Sequence, residues 1–167
     1  CVGSLIFGSF GRNYQMWSVT AGNTTGDLRA IGTRSDSNNY KDGNGDEVHS
    51  FYTRWSGTAI AGWTPDADTK LQFSYDRSDG EAAYDDRELD GKQFDRTGYG
   101  IKFEKDNLSP LVEKVEFKAY HNYIDHVMDN YSLRDTPVGQ RSTMNPDRET
   151  SGARFAVQLG LGVDTFA

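Results

Sequence analysis

His126-Val127-Met128 places an imidazole and a thioether two residues apart, near the end of a long alternating segment from Val115 to Met128. Successive strand side chains point to opposite faces, so on a strand His126 and Met128 share one face. Their Cα atoms then lie roughly 6 to 7 Å apart, close enough to reach one metal ion. A thioether is a soft ligand with little use for zinc or magnesium, so the pair favours copper, Cu(I) above all. The plainer assignment of any single His-x-Met is a gap-filling methionine beside a histidine that caps a strand end. Met16 and Met144 are spare thioethers able to guide copper, with ordinary packing or solvent exposure as the leading reading of each.

The elements that must position this pair follow from composition and period. With 167 residues, hydrophobic content of 35%, aromatic content of 13% and 18 glycines, the chain has the length of one domain but is unusually polar for a packed one. No apolar run approaches the ~18 residues of a transmembrane helix, and no basic and apolar leader opens the chain. The net charge of -7 argues against nucleic acid, whose phosphates need a basic face. Acids gather in two loops, Asp36 to Glu47 and Asp79 to Asp95. One cysteine, Cys1, excludes an internal disulfide, a zinc ribbon and a redox pair. Gly3 to Phe7 is already strand-like, so the chain reads as a piece of a larger protein.

Lys70 to Asp76 alternates apolar and polar residues without an error, the pattern of a strand with one apolar and one wet face. The period recurs in Gly98 to Glu104, Val115 to Asn122 and Ala153 to Leu159. Counted with Leu5 to Phe10, Gln15 to Thr20, Leu28 to Thr33, Phe51 to Trp63 and the final stretch Gly162 to Ala167, this predicts about nine strands and no helix. The fold class is therefore all-β, over a single domain 1–167. Gly22 to Gly26, Thr64 to Asp68 and Asp106 to Pro110 are short turns, whereas Ser35 to Glu47, Arg77 to Phe94 and Ser132 to Pro146 are long and polar. Short turns at one end and long loops at the other are the layout of a transmembrane β-barrel. Trp17, Trp55, Trp63, Tyr75, Tyr99 and Tyr123 are expected near strand ends, in an aromatic girdle. A soluble β-sandwich with an aromatic core is the alternative.

Two local signals carry less. Asp42-Gly-Asn-Gly-Asp46 opens like a calcium loop, but Glu47 stands where glycine is required and Thr53 where a glutamate is, so it is a hairpin tip. The acidic stretch Glu81 to Glu88 reads as a solvated loop. No nucleophile, base and orienter can be assembled, so the chain is not read as an enzyme.

The segments Gly3 to Asn13, Tyr40 to Asp46, Asp76 to Tyr84, Phe94 to Gly100 and Asp125-His-Val-Met-Asp-Asn-Tyr-Ser-Leu-Arg134 together resemble the first third of the barrel in TonB-dependent outer-membrane copper receptors. The resemblance runs in order across nearly the whole chain, and the His-Val-Met-Asp-Asn run is its most specific part. It implies an antiparallel transmembrane segment of a 22-stranded barrel whose plug is absent from this chain. It further implies the outer membrane of a Gram-negative bacterium with its lipid, energy delivered by the TonB system through the plug, and copper as cargo. In such receptors a His-x-Met from the barrel meets a Cys-x-x-x-Met from the plug. His126 and Met128 match the barrel half. Cys1 is followed four positions later by Leu5, so the plug role is not carried onto Cys1. A TonB-dependent receptor for another chelate or a siderophore would share the barrel and carry aromatic and Arg residues at the mouth instead.

Register offers a check. If Val115, Phe117 and Ala119 face lipid, an unbroken strand turns His126 and Met128 to the lumen with Tyr120 and Asn122. His121 then falls on the lipid side beside Tyr123, tolerable only near the interface. A bulge at Asn122 would instead turn His126 outward.

Overall fold

The computed structural model describes residues 1–160. The expected strand Gly162 to Ala167 lies outside them. Eleven strands form among the described residues: β1 (Val2–Phe7), β2 (Asn13–Gly22), β3 (Gly26–Ser37), β4 (Tyr40–Lys41), β5 (Glu47–Val48), β6 (Tyr52–Asp66), β7 (Thr69–Ala82), β8 (Asp90–Asp106), β9 (Val112–Asp129), β10 (Thr143–Met144) and β11 (Asp147–Leu159). All but β4 and β5 join one 9-stranded sheet in the order β1-β2-β3-β6-β7-β8-β9, with β10 and β11 both on the far side of β9. Every pairing is antiparallel. Each long strand thus pairs with its neighbour along the chain, the meander that alternating segments with turn residues between them are expected to make.

The sheet has no second layer. Ala83 is the only buried apolar residue among the described ones, while Trp63 at 56%, Phe73 at 50% and Phe155 at 66% stand exposed. A sandwich would bury these aromatics between two sheets, so the sandwich alternative is excluded. Registers show where the two rows of side chains go. Leu71, Phe73 and Tyr75 lie level with Phe103, Ile101 and Tyr99, which in turn lie level with Phe117, Ala119 and His121, and these with Phe155, Ala153 and Ser151. This outward row is a continuous apolar band. On the opposite face at the same height, Lys102 bonds Glu104 at 3.0 Å, Lys114 bonds Glu104 at 2.8 Å, and Lys118 bonds Glu116 at 3.0 Å. Charges at that depth are tolerable only facing a wet or protein-filled interior.

Strands of this sheet run longer than the ~10 residues that span a bilayer, and that corrects two expectations. Tyr75 and Tyr99, with rings 5.3 Å apart, mark the upper edge of the band from mid-strand instead of from strand ends. Residues 77–82 and 90–94, expected as loop, continue β7 and β8 beyond the bilayer; they look like loop because both faces there are wet and the apolar alternation stops. His121 sits at this edge, hydrogen-bonded to Ser151 Oγ at 2.9 Å and 3.8 Å from Glu149, which supplies the polar partners an interfacial imidazole needs. The short turns, at 23–25, 67–68 and 107–111, all fall at the opposite end of the sheet from the longest connections, 38–51 and 130–146. Residues 42–46 form the tip of the β4–β5 hairpin, where Asp42 Oδ1 accepts from the amides of Asn44 at 2.8 Å and Asp46 at 3.0 Å. Leu5 to Phe10 is strand only as far as Phe7, because Phe10 takes φ 58° in a turn.

Candidate metal centre

β9 is the strand that matters, and it is unbroken. Its register is constant against β8 from Lys114 to Val127, and against β11 and β10 from Lys114 to Asp129 apart from the proline gap between them. No bulge occurs at Asn122. Side chains separated by an even number of residues therefore share a face. His126 and Met128 lie on the face of Lys118, Tyr120 and Asn122, opposite the apolar row of Val115, Phe117 and Ala119.

On the β8 side, the register shifts between Gly91 and Gln93. This bulge leaves Lys92 unpaired and brings Gly91 and Phe94, an odd number of residues apart, to the same face. Phe94 lies opposite His126 and Gly91 opposite Met128. The Phe94 ring packs on the His126 ring, with centroids 4.5 Å apart and planes at 34°. Gly91 makes room for that ring, since a Cβ there would lie 2.1 Å from Phe94 Cζ. The Phe94 amide donates to Asp79 Oδ1 at 3.0 Å, which holds its backbone in place. His126 Nε2 is buried and has no hydrogen-bond partner. Buried polar nitrogens are normally paired, so this one is available to a ligand.

On the other side, the His126 amide donates to Pro146 O at 3.2 Å. Proline has no amide to return, so β10 and β11 are one strand interrupted at 145–146. Across that gap Met144 pairs directly with Met128, and paired residues point to the same face about 5 Å apart. Met144 is 49% exposed. Three soft or borderline donors, His126, Met128 and Met144, thus meet on one face. Met16 shares the sheet face but stands on β2, five strands away, roughly 24 Å at the usual strand spacing. Cys1 is exposed at the edge of the sheet. Among the described residues no group of three or more His, Cys, Asp or Glu could hold a metal.

Sequence reasoning missed a second cluster. Asp90 is 0% exposed and its carboxylate accepts from Arg134 Nε at 2.7 Å and Nη2 at 2.5 Å, from His49 Nε2 at 3.0 Å and from the Tyr84 amide at 2.9 Å. Burial by itself would raise the Asp90 pKa; the hydrogen bonds of Arg134, His49 and Tyr84 outweigh it and hold the group at about 2. No spacing marks these residues, which come from three different connections.

A concavity of about 890 Å³ opens on the same side of the sheet, lined by Tyr14, Tyr52, Arg54 and Tyr84 among others, with Phe94 at its margin.

An antiparallel meander with an apolar exterior and a salt-bridged interior is the wall of a transmembrane β-barrel, and this chain is a segment of such a wall. No protein-family model matches the chain and no curated relative does. It is similar to a solved structure, the copper transporter OprC, at 39% identity and a TM-score of 0.90 over 96% of its own length. The chain spans 25% of the length of that transporter.

Proposed function

We propose that residues 1–167 form part of the barrel of a TonB-dependent receptor that takes up copper across the outer membrane of a Gram-negative bacterium. His126 and Met128 supply the barrel half of the copper site, and a plug outside this chain supplies the other half as Cys and Met. The observation that carries the reading is the buried, unpartnered His126 Nε2 beside Met128 on the interior face, in a chain 39% identical to a copper transporter. Imidazole with thioether selects Cu(I). Met144, opposite Met128, adds a third donor that hands the ion inward.

The acidic connections at the mouth draw cations in by electrostatic focusing. Soft ligands then replace the water of the ion, and the metal rests where barrel and plug meet. When TonB moves the plug, each half loses the chelate and the ion is released inward. Only metal–ligand bonds are exchanged and no covalent bond of a substrate is made or broken, so the protein is a transport component and not a catalyst. In the complete receptor His126→Ala and Met128→Ala should each reduce copper to well below one equivalent, read by elemental analysis of purified protein, with Met144→Ala losing less. Full copper in both of the first two variants refutes the assignment.

A second reading has an observation of its own. The aromatic and Arg54-lined concavity suits an organic metal chelate. Purified receptor carrying iron or an organic chelate in place of copper would favour it.

A further inference from the structure

We propose that Asp90 is a positioning residue for the soft-ligand face, fastening the end of β8 and the segment between Met128 and Met144 to one buried carboxylate. The inference rests on the copper reading above and concerns how firmly that site is held. Beyond the bulge at Lys92 the β8–β9 ladder has only two pairs left, Gly91 with Met128 and Asp90 with Asp129. A bulge disrupts the ladder and bends the strand, and two terminal pairs in a long connection fray easily. On the other side β10 adds only the pairs Met144 with Met128 and Thr143 with Asp129, so a further tie fixes how the end of β9 is held against β8.

Asp90 does this from one residue away. Its two oxygens take both prongs of the Arg134 fork, a planar bidentate geometry that fixes direction as well as distance. The rest of the guanidinium is spent on Tyr84 O at 2.8 Å and Arg87 O at 3.2 Å. Arg134 belongs to the 130–146 connection, so the chain leaving Met128 is pinned before it returns as Met144. That connection is wired internally as well. Asp129 accepts from the Ser132 amide at 2.7 Å and the Tyr131 amide at 3.1 Å, and Asn130 bonds the Ser142 amide at 2.8 Å and Gln140 O at 3.0 Å. His49 brings in the 38–51 connection at 3.0 Å. Three connections far apart in sequence therefore converge on one carboxylate beside Gly91. The hydrogen bonds of Asp90 and Arg134 go to His49, Tyr84, Arg87 and each other, so they act through the backbone and not as ligands.

A residue that only stabilises the barrel would alter its unfolding. A positioning residue alters how long the ion stays. In the complete receptor loaded with Cu(I), Asp90→Asn is expected to release copper to a soluble Cu(I) chelator at least tenfold faster than the native protein, and faster than a barrel variant remote from the site whose urea midpoint falls by the same amount. Arg134→Lys keeps the charge but loses the fork, and should release equally fast; it carries the same test if Asp90→Asn does not assemble. Release at the native rate from the variants overturns the proposal. His126→Ala run alongside separates the two levels: if it holds copper as the native receptor does, the copper reading itself has failed.

Discussion

The assignment of His126 to the interior depends on the parity of β9, and one pair of substitutions tests that parity by energy. Ala119 lies seven residues before His126 on a strand without a register shift, so the two must face opposite ways. Ala119 stands in the outward row between Ile101 and Ala153, about 3 Å along the strand from the centre of the span 115–121. Arginine on the lipid face near the bilayer midplane costs roughly 2–4 kcal/mol, about 30-fold to nearly 1000-fold in the folding equilibrium. Ala156 provides the matched control. It lies on β11 opposite Glu116, on the interior face, where Glu116 already holds Lys118 at 3.0 Å and Lys102 at 3.7 Å. An arginine there meets a carboxylate and should stay within about 0.5 kcal/mol of the native protein. Urea titration of the complete receptor folded into phospholipid vesicles reads both values. Equal losses, or a larger loss for Ala156→Arg than for Ala119→Arg, would refute the assignment of faces and with it the interior position of His126 and Met128.

Gly91→Ala should disturb the site without touching a ligand. The added Cβ meets the Phe94 ring at 2.1 Å, and the displaced ring presses on His126, so copper affinity should fall about tenfold or more in a competition titration; unchanged affinity would mean that Phe94 moves freely. A pH dependence follows from Asp90. Its pKa of about 2 in the folded chain lies below the ordinary 3.8, so its contribution is complete above about pH 4 and is lost as pH falls toward 2, a total of roughly 2 kcal/mol. Protection of the Tyr84 amide against hydrogen exchange should decline over that window in the native receptor and stay flat in Asp90→Asn. The same decline in both proteins would rule out Asp90 as its source.

Local pattern was enough to specify much of this chain. Alternation in Lys70 to Asp76 and Val115 to Asn122 carries the strand type, the two faces and the shared side of His126 and Met128, because side-chain period along a strand is a property of the covalent backbone. The segregation of Asn, Gly, Asp and Pro into short turns carries the barrel layout. Pattern misled at residues 77–82 and 90–94, where strands outrun the bilayer, both faces become wet and the apolar alternation that signals a strand vanishes. Tyr75 and Tyr99 fall mid-strand for the same reason, whereas Trp55 and Trp63 lie near the ends of β6 as expected.

What tertiary structure alone decided is which residues of different strands meet. Met144 looked like a spare thioether until pairing across β9 set it opposite Met128. The bulge at Lys92, which turns Phe94 onto His126, is a mismatch between two strands and belongs to neither by itself. Asp90, His49 and Arg134 carry no motif; they are 41 and 44 residues apart in the chain and are joined only because three connections fold over one strand end. Period is written residue by residue, whereas register and convergence arise from hydrogen bonds between distant segments, and those exist only once the sheet has formed.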